Sequence, residues 1–340
     1  MRLWNLDPKY AKQPCVAMFC GEGHRQPLLA CHFHPNGKWL LTGAMDTAVA
    51  LWRVPDLAQL HDEHAIDQEP MIVYYPHFFS TEVHYGYVDC LAFYGDLIIS
   101  RAAKDQDHKN LQNEILLWEI DGFDSEMDEP AHPPIPTPGI YTRSSFPHDP
   151  RQRGFKRLLT FSNAHSESFY LRFGFLNKAG MRPILVFGNF KTRVSFWDLQ
   201  KLEEGYTDAE KFKKPGRKSK GLMSRMSSDN SLGQLNRVRE ESVASEATGS
   251  NAAATPQPSS TSISAPPERK YDLSDPFKPL EPHRSQVIHT DLPVGVSGAQ
   301  KGKPSHFGVR QWAWSSDGTW LLGAGDLGML VMFHRDRGVV

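Results

Sequence analysis

The side chains of this sequence that could do chemistry are histidines, cysteines and carboxylates set at short spacings. Cys31, His32 and His34 lie in one such run. On a strand, alternate residues share a face, so His32 and His34 point one way and Cys31 the other, and the run makes no three-ligand metal site. His61-Asp62-Glu63-His64 offers two imidazoles and two carboxylates on a stretch that reads as a surface helix or loop, where they serve as solvated charge. His-Glu-x-x-His, Gly-x-Ser-x-Gly and a phosphate-cradling glycine loop are missing from the sequence. With no catalytic constellation, the chain is expected to be no enzyme and to use no cofactor, metal or small-molecule substrate.

A second polar set has a structural logic. His24, Thr42, Asp46 and Trp52 follow one another through residues 23–52, GHRQPLLACHFHPNGKWLLTGAMDTAVALW. An indole N–H, a hydroxyl, an imidazole and a carboxylate can pass hydrogen bonds along a line, each satisfying the next. A missing member would strand a buried polar group, at a cost of about 1–3 kcal/mol. The intervening residues alternate apolar and polar (Leu29, Cys31, Phe33) and are broken by Pro35-Asn36-Gly37, which reads as consecutive antiparallel strands joined by turns. Gly-His at the start, Asp before the last strand and Trp at its end are the signature of one WD-repeat propeller blade.

The rest of the chain is organised as variations on that unit. Residues 1–20 read as the end of a blade whose first strands are absent, so the chain is expected to begin in mid-repeat. A full blade covers 21–79, with 71–75 closing its outer edge. The next covers 80–161 and contains a Pro-rich insertion at 121–154 without regular structure, followed by an outer strand at 155–161. A further blade takes 162–204, its first strand at 168–175, and recruits 284–290 as its outer strand. Between them, residues 205–283 are rich in Ser, Ala, Thr and Pro and read as a disordered insertion, followed by a linker at 291–300. The last blade takes 301–340 and ends on Phe333 where the others carry Trp52, Trp118 and Trp197. The fold class is therefore all-β, about three and a half blades of a WD-repeat propeller, with long disordered insertions.

Thirty-eight basic against 39 acidic residues give a net charge of −1, so no global field draws the chain to nucleic acid or a membrane. No signal-peptide core and no apolar run of about 18 residues is present, which predicts a soluble, unsecreted chain. The four cysteines have no CxxC spacing; Cys15, Cys31 and Cys90 fall in apparent strands, where free thiols pack as small hydrophobes. Residues 211–220, KFKKPGRKSK, read equally as a nuclear-import signal or nucleic-acid-touching patch and as solvated charge, and Ser224, Ser227, Ser228 and Ser231 follow as candidate phosphorylation sites.

The motifs LWNL, FCGEGHR, GAMDTAVALWRV, PHFFSTEVHYGYVDCLAFYGDLIIS, SFYLRF and RQWAWSSDGTWLL resemble the second half of the extra sex combs / embryonic ectoderm development (EED) proteins. These are WD-repeat subunits of Polycomb repressive complex 2. The resemblance runs through residues 2–120 and 155–334. It implies a seven-bladed family fold, a nuclear location and three kinds of partner: a histone tail carrying trimethyl-lysine, a SET-domain histone methyltransferase and other Polycomb subunits. It also implies an aromatic cage at one end of the channel, where Phe169 (Trp in the family) and Tyr170 fall on adjacent cage positions. A quaternary ammonium donates no hydrogen bond, so ring faces hold it by cation–π attraction, about 0.5–2 kcal/mol each. Arg172, Arg310, Asp89, Asp326 and Met45 fall on family positions lining the same mouth. Read from the residues alone, Phe169 and Tyr170 could be strand packing, Arg310 with Asp326 a structural ion pair, and Asp89 a partner in internal hydrogen bonds. Two other roles stay open: a general WD-repeat adaptor in signalling or trafficking, and a truncated product without function.

Overall fold

Along Glu114–Ile120, Ile115 and Leu117 point to one side of the strand, Leu116 and Trp118 to the other, and all four are buried. A strand that is apolar on both faces needs a neighbour on each side. That requirement produces the architecture: sheets stacked face to face in chain order, with an apolar layer between each pair. The computed structural model describes residues 1–56, 69–103, 114–166, 170–204, 273–288 and 307–335.

Five sheets result among the described residues. The first holds Arg2–Trp4, Cys15–Phe19 and Met71–Val73. The second holds, from the inside outward, Leu28–Phe33, Trp39–Ala44, Val49–Arg53, Phe78–Ser80 and Thr142–Ser144. In the third, Tyr87–Tyr94, Leu97–Ala103, Glu114–Ile120 and Phe155–Phe161 are followed by Pro279–Leu280. Gly174–Leu176, Ile184–Gly188, Arg193–Asp198 and Arg284–Val287 form the fourth; Val309–Trp314, Trp320–Gly325 and Leu330–His334 form the fifth. One core layer joins Trp39, Leu51 and Phe78 of the second sheet to Phe93, Ile98 and Trp118 of the third. The next joins Ile99, Ile115 and Leu117 to Leu185, Phe187 and Trp197 of the fourth, so successive residues of one strand serve different layers. The second and third sheets come so close that a Cβ on Gly43 would lie 2.6 Å from Val88 Cγ1, which leaves room only for glycine there.

The outer edges follow a rule that period and turn signals do not show. Met71–Val73 does not close the second sheet, as the sequence predicts; it pairs in parallel with Cys15–Phe19 of the first, and Phe78–Ser80 closes the second. Thr142–Ser144, inside the insertion predicted to lack regular structure, pairs back onto Phe78–Ser80 of the second. Pro279–Leu280, within the stretch predicted to be disordered, pairs in parallel with Phe155–Phe161 of the third; the remainder of that prediction, 205–272, lies outside the described residues, as does the 291–300 linker. Each of these segments lies between the third and fourth strands of one sheet and adds a strand to the edge of the sheet before it. A covered edge offers no unpaired N–H and C=O row to other chains.

One predicted strand is largely replaced. Of the run 168–175, the described residues 170–175 enter a strand only from Gly174; Arg172 N–H instead donates to Arg310 O of the fifth sheet at 3.1 Å, and Tyr170 takes a left-handed backbone at φ 58°. Cys31, predicted to pack, is exposed, whereas Cys15 and Cys90 are buried; all four thiols are free.

Candidate functional site

The lock of the second sheet assembles from its four side chains. Trp52 Nε1–H donates to Thr42 Oγ1 at 2.9 Å, and Thr42 Oγ1 lies 2.8 Å from His24 Nε2. His24 Nδ1 lies 3.0 Å from Asp46 Oδ1. Because a carboxylate only accepts, His24 donates from Nδ1 to Asp46. Burial pushes the Asp46 carboxyl up, but the hydrogen bond and charge of His24 and the N–H groups of Arg25 and Ala48 outweigh it and hold it below its ordinary value. The third sheet carries a counterpart that the sequence reading missed. Trp118 Nε1–H donates to Ser100 Oγ at 2.8 Å, and Ser100 Oγ lies 2.6 Å from His84 Nε2. Its signal was a His–Ser separation of 16 residues, close to the 18 between His24 and Thr42. Trp197 has no such partners; its indole donates to Leu280 O at 3.1 Å, on the strand that returns to the third sheet.

Inner strands of the second to fifth sheets converge on a cavity of about 470 Å³, whose lining includes Cys31, Asp89, Cys90, Arg172, Phe173 and Gln311. In its lining, Arg172 Nη2–H donates to Leu29 O at 3.1 Å, tying the segment that leads into the fourth sheet to the second sheet. Arg310 Nε–H donates to Asp326 Oδ1 at 2.7 Å, and Asp326 Oδ2 accepts from Gly308 N–H at 3.1 Å. The Arg310 guanidinium also lies 5.0 Å from the Phe190 ring centroid. Arg310 and Asp326 therefore form an ion pair, both part-exposed. Tyr170 presents its ring to solvent at 52% exposure while its backbone N–H donates to Asp89 Oδ2 at 2.9 Å.

The predicted mouth residues thus separate into groups. Tyr170, Arg172, Arg310 and Asp326 come together through the Tyr170–Asp89 and Arg172–Arg310 bonds. Asp89 is fully buried, so it supports the group from beneath rather than offering a free carboxylate to a peptide. Met45 is half-buried, with its N–H donating to Pro27 O at 3.1 Å; like Tyr170, Arg310 and Asp326 it lies outside the lining of the cavity, which Arg172 and Asp89 enter. Phe169 lies outside the described residues, as do His61 to His64 and the basic run 211–220. His34 is buried against Asp96 and Gly95 O, each 3.2 Å away, and among the described residues no group of three or more His, Cys, Asp or Glu could hold a metal ion. No helix among them is long and apolar enough to cross a membrane. Arg101, which pairs with Asp89, was also missed; a lone arginine inside the apolar run LIISRAA was the available sign, since a buried charge requires a partner.

Stacked, mainly antiparallel sheets, two of them locked from a Trp indole through a hydroxyl to a His, define a WD-repeat propeller protein. The WD domain, G-beta repeat signature matches residues 13–53, the stretch that holds the first lock. Over 212 residues the chain is 38% identical to the Polycomb protein EED of Chaetomium thermophilum, matching 60% of this chain and 35% of that protein. It superposes on a chain of the Chaetomium thermophilum polycomb repressive complex 2 with a TM-score of 0.67 at 29% identity, covering 98% of this chain and 67% of that one. A structure of the same complex with trimethylated histone H3 gives 0.66 at 30% identity, covering 98% and 68%. The chain spans little more than a third of that curated relative and two thirds of the solved chains. It belongs to the extra sex combs / EED family.

Proposed function

We propose that the protein is a non-catalytic scaffold of a nuclear Polycomb histone methyltransferase complex. In this reading it receives a trimethylated histone lysine at the mouth that carries Tyr170 and stimulates a SET-domain subunit, alongside other Polycomb subunits. The observation that carries the reading is the superposition over 98% of the chain on a subunit of a complex solved with trimethylated histone H3. The exposure of Tyr170 supports it, because an accessible aromatic face is what a cation without N–H donors requires.

Tyr170→Ala in the full chain is expected to weaken binding of a trimethyl-lysine H3 peptide by about tenfold or more, the worth of one ring face, at an unchanged melting temperature. Retained affinity in a calorimetric titration would sink the cage role. Affinity purification from nuclear extract tests the scaffold role. Recovery of a SET-domain methyltransferase supports it, and recovery of a coat or signalling assembly in its place supports a general adaptor.

A further inference from the structure

Asp89 and Arg101 form a fully buried ion pair. Burying two charges in this way is seldom the most stable choice; a well-packed apolar pair of similar volume is often as stable or more so. The pair therefore calls for another explanation, and its hydrogen bonds supply one.

Register between the two innermost strands of the third sheet slips between Val88 and Cys90, which leaves Asp89 as the extra residue of a bulge. A bulge re-aims a side chain. Here it brings the carboxylate onto Arg101, whose Nη1–H donates to Asp89 Oδ2 at 2.5 Å. The guanidinium reaches on into the fourth sheet, 5.5 Å from the Phe187 ring centroid. Its Nη2–H donates to Ser166 O at 2.7 Å. The same Asp89 oxygen that takes Arg101 also takes the N–H of Tyr170 at 2.9 Å. Thus the cation holds Ser166 and the anion holds Tyr170, on either side of the short segment that connects them. Burial pushes the Asp89 carboxyl up, while Arg101, the Tyr170 N–H and Arg172 act in the opposite direction. Tyr170 needs such an anchor, because a left-handed φ of 58° is a strained backbone for a residue with a Cβ.

We propose that Asp89 and Arg101 are positioning residues that hold Tyr170 in its left-handed conformation and so fix its ring for the incoming cation. The inference rests on the reading of Tyr170 as a methyl-lysine contact. Planar two-armed donation is what the task requires: Arg101 must reach a carboxylate and a carbonyl at once, which a lysine does not do with fixed geometry.

The test uses the full chain with Asp89→Leu and Arg101→Met together, which replaces the pair by apolar side chains and leaves no charge buried alone. Amide hydrogen exchange at Tyr170, thermal unfolding and titration with a trimethyl-lysine H3 peptide are measured. Tyr170 is expected to exchange faster while the melting temperature holds, and peptide affinity to fall about tenfold, the cost of ordering a side chain that is no longer held in place. A Tyr170 amide that stays protected in the folded double variant overturns the proposal. Should the double variant not fold, Arg101→Lys keeps the charge on Asp89 and removes the second arm. Faster exchange at Tyr170 supports the proposal, and unchanged exchange overturns it. Failure of the functional reading looks different: the parent chain binds no peptide, while Tyr170 protection still depends on the pair.

Discussion

The second and third sheets carry the same lock in two chemical versions. In the second, His24 is held at both nitrogens, by Thr42 and by Asp46. In the third, His84 is held at one; its Nδ1 is buried and has no hydrogen-bond partner among the described residues. Ser100 must accept from Trp118, so its own proton goes to His84 Nε2 and the Nδ1–H is left over. Burial, helped by the nearby charges of Arg157 and Arg101, pushes His84 down to about 3. The surroundings differ as well. A cavity of about 280 Å³ lined by His24, Thr42 and Trp52 adjoins the first lock, whereas His84, Ser100 and Trp118 are fully enclosed. The difference teaches that the aromatic and the hydroxyl make the lock, while the acid decides how the histidine is tuned.

Ser100→Ala is expected to break the comparison most strongly. It strands the Trp118 N–H and His84 Nε2 in a dry interior and should cost about 2–5 kcal/mol in denaturant unfolding. Thr42→Ala removes the same link from the second sheet but should cost only about 1–3 kcal/mol, because His24 keeps Asp46 and the neighbouring cavity can admit water. Equal costs would show that the acid and the cavity do not matter.

Acid should separate the two histidine locks next. His84 has a folded value of about 3 against 6.5 in the unfolded chain. The unfolded chain therefore binds more protons between those values, and stability falls as pH drops through that window. His84→Gln is expected to flatten the decline in melting temperature between pH 6.5 and 4, whereas an unchanged slope would remove His84 as its cause. Asp46 acts later: its folded value lies below 3.8, so its contribution is complete above 3.8 and is lost as pH falls below it. Asp46→Asn keeps acceptors for His24 and the backbone but loses the charge, for about 1–2 kcal/mol at neutral pH. The smallest effect is expected in the fourth sheet, where Trp197→Phe gives up one hydrogen bond to Leu280 O while keeping the ring, about 1 kcal/mol. A larger loss there would mean that the indole N–H anchors the returning strand.

Much of the fold is legible because its signals are local. The continuous apolar run Ile115–Trp118 marks a strand buried on both faces, and the Gly-His, Thr, Asp, Trp order of 23–52 contains one whole hydrogen-bond chain. The second lock was legible in principle, but the insertion that separates Ser100 from Trp118 hides its spacing. At the mouth, the types of Tyr170, Arg172, Arg310 and Asp326 were readable from the motifs, and an internal hydrogen-bonding role for Asp89 was open to the sequence, yet its partners were not. A carboxylate's role depends on what faces it, and Arg101 faces it only through a bulge that no residue pattern announces.

By itself, the sequence determined most of the strands and the residues of the first lock, because period-two alternation, short apolar runs and turn residues act over a few positions. Tertiary structure alone decided that Met71–Val73, Thr142–Ser144 and Pro279–Leu280 each edge the preceding sheet, and that Tyr170 leaves its strand to rest on a buried ion pair. These are pairings between segments remote in the chain. They are chosen by which sheet edge and which buried charge remain open once the sheets have stacked, and that is a property of the assembled molecule.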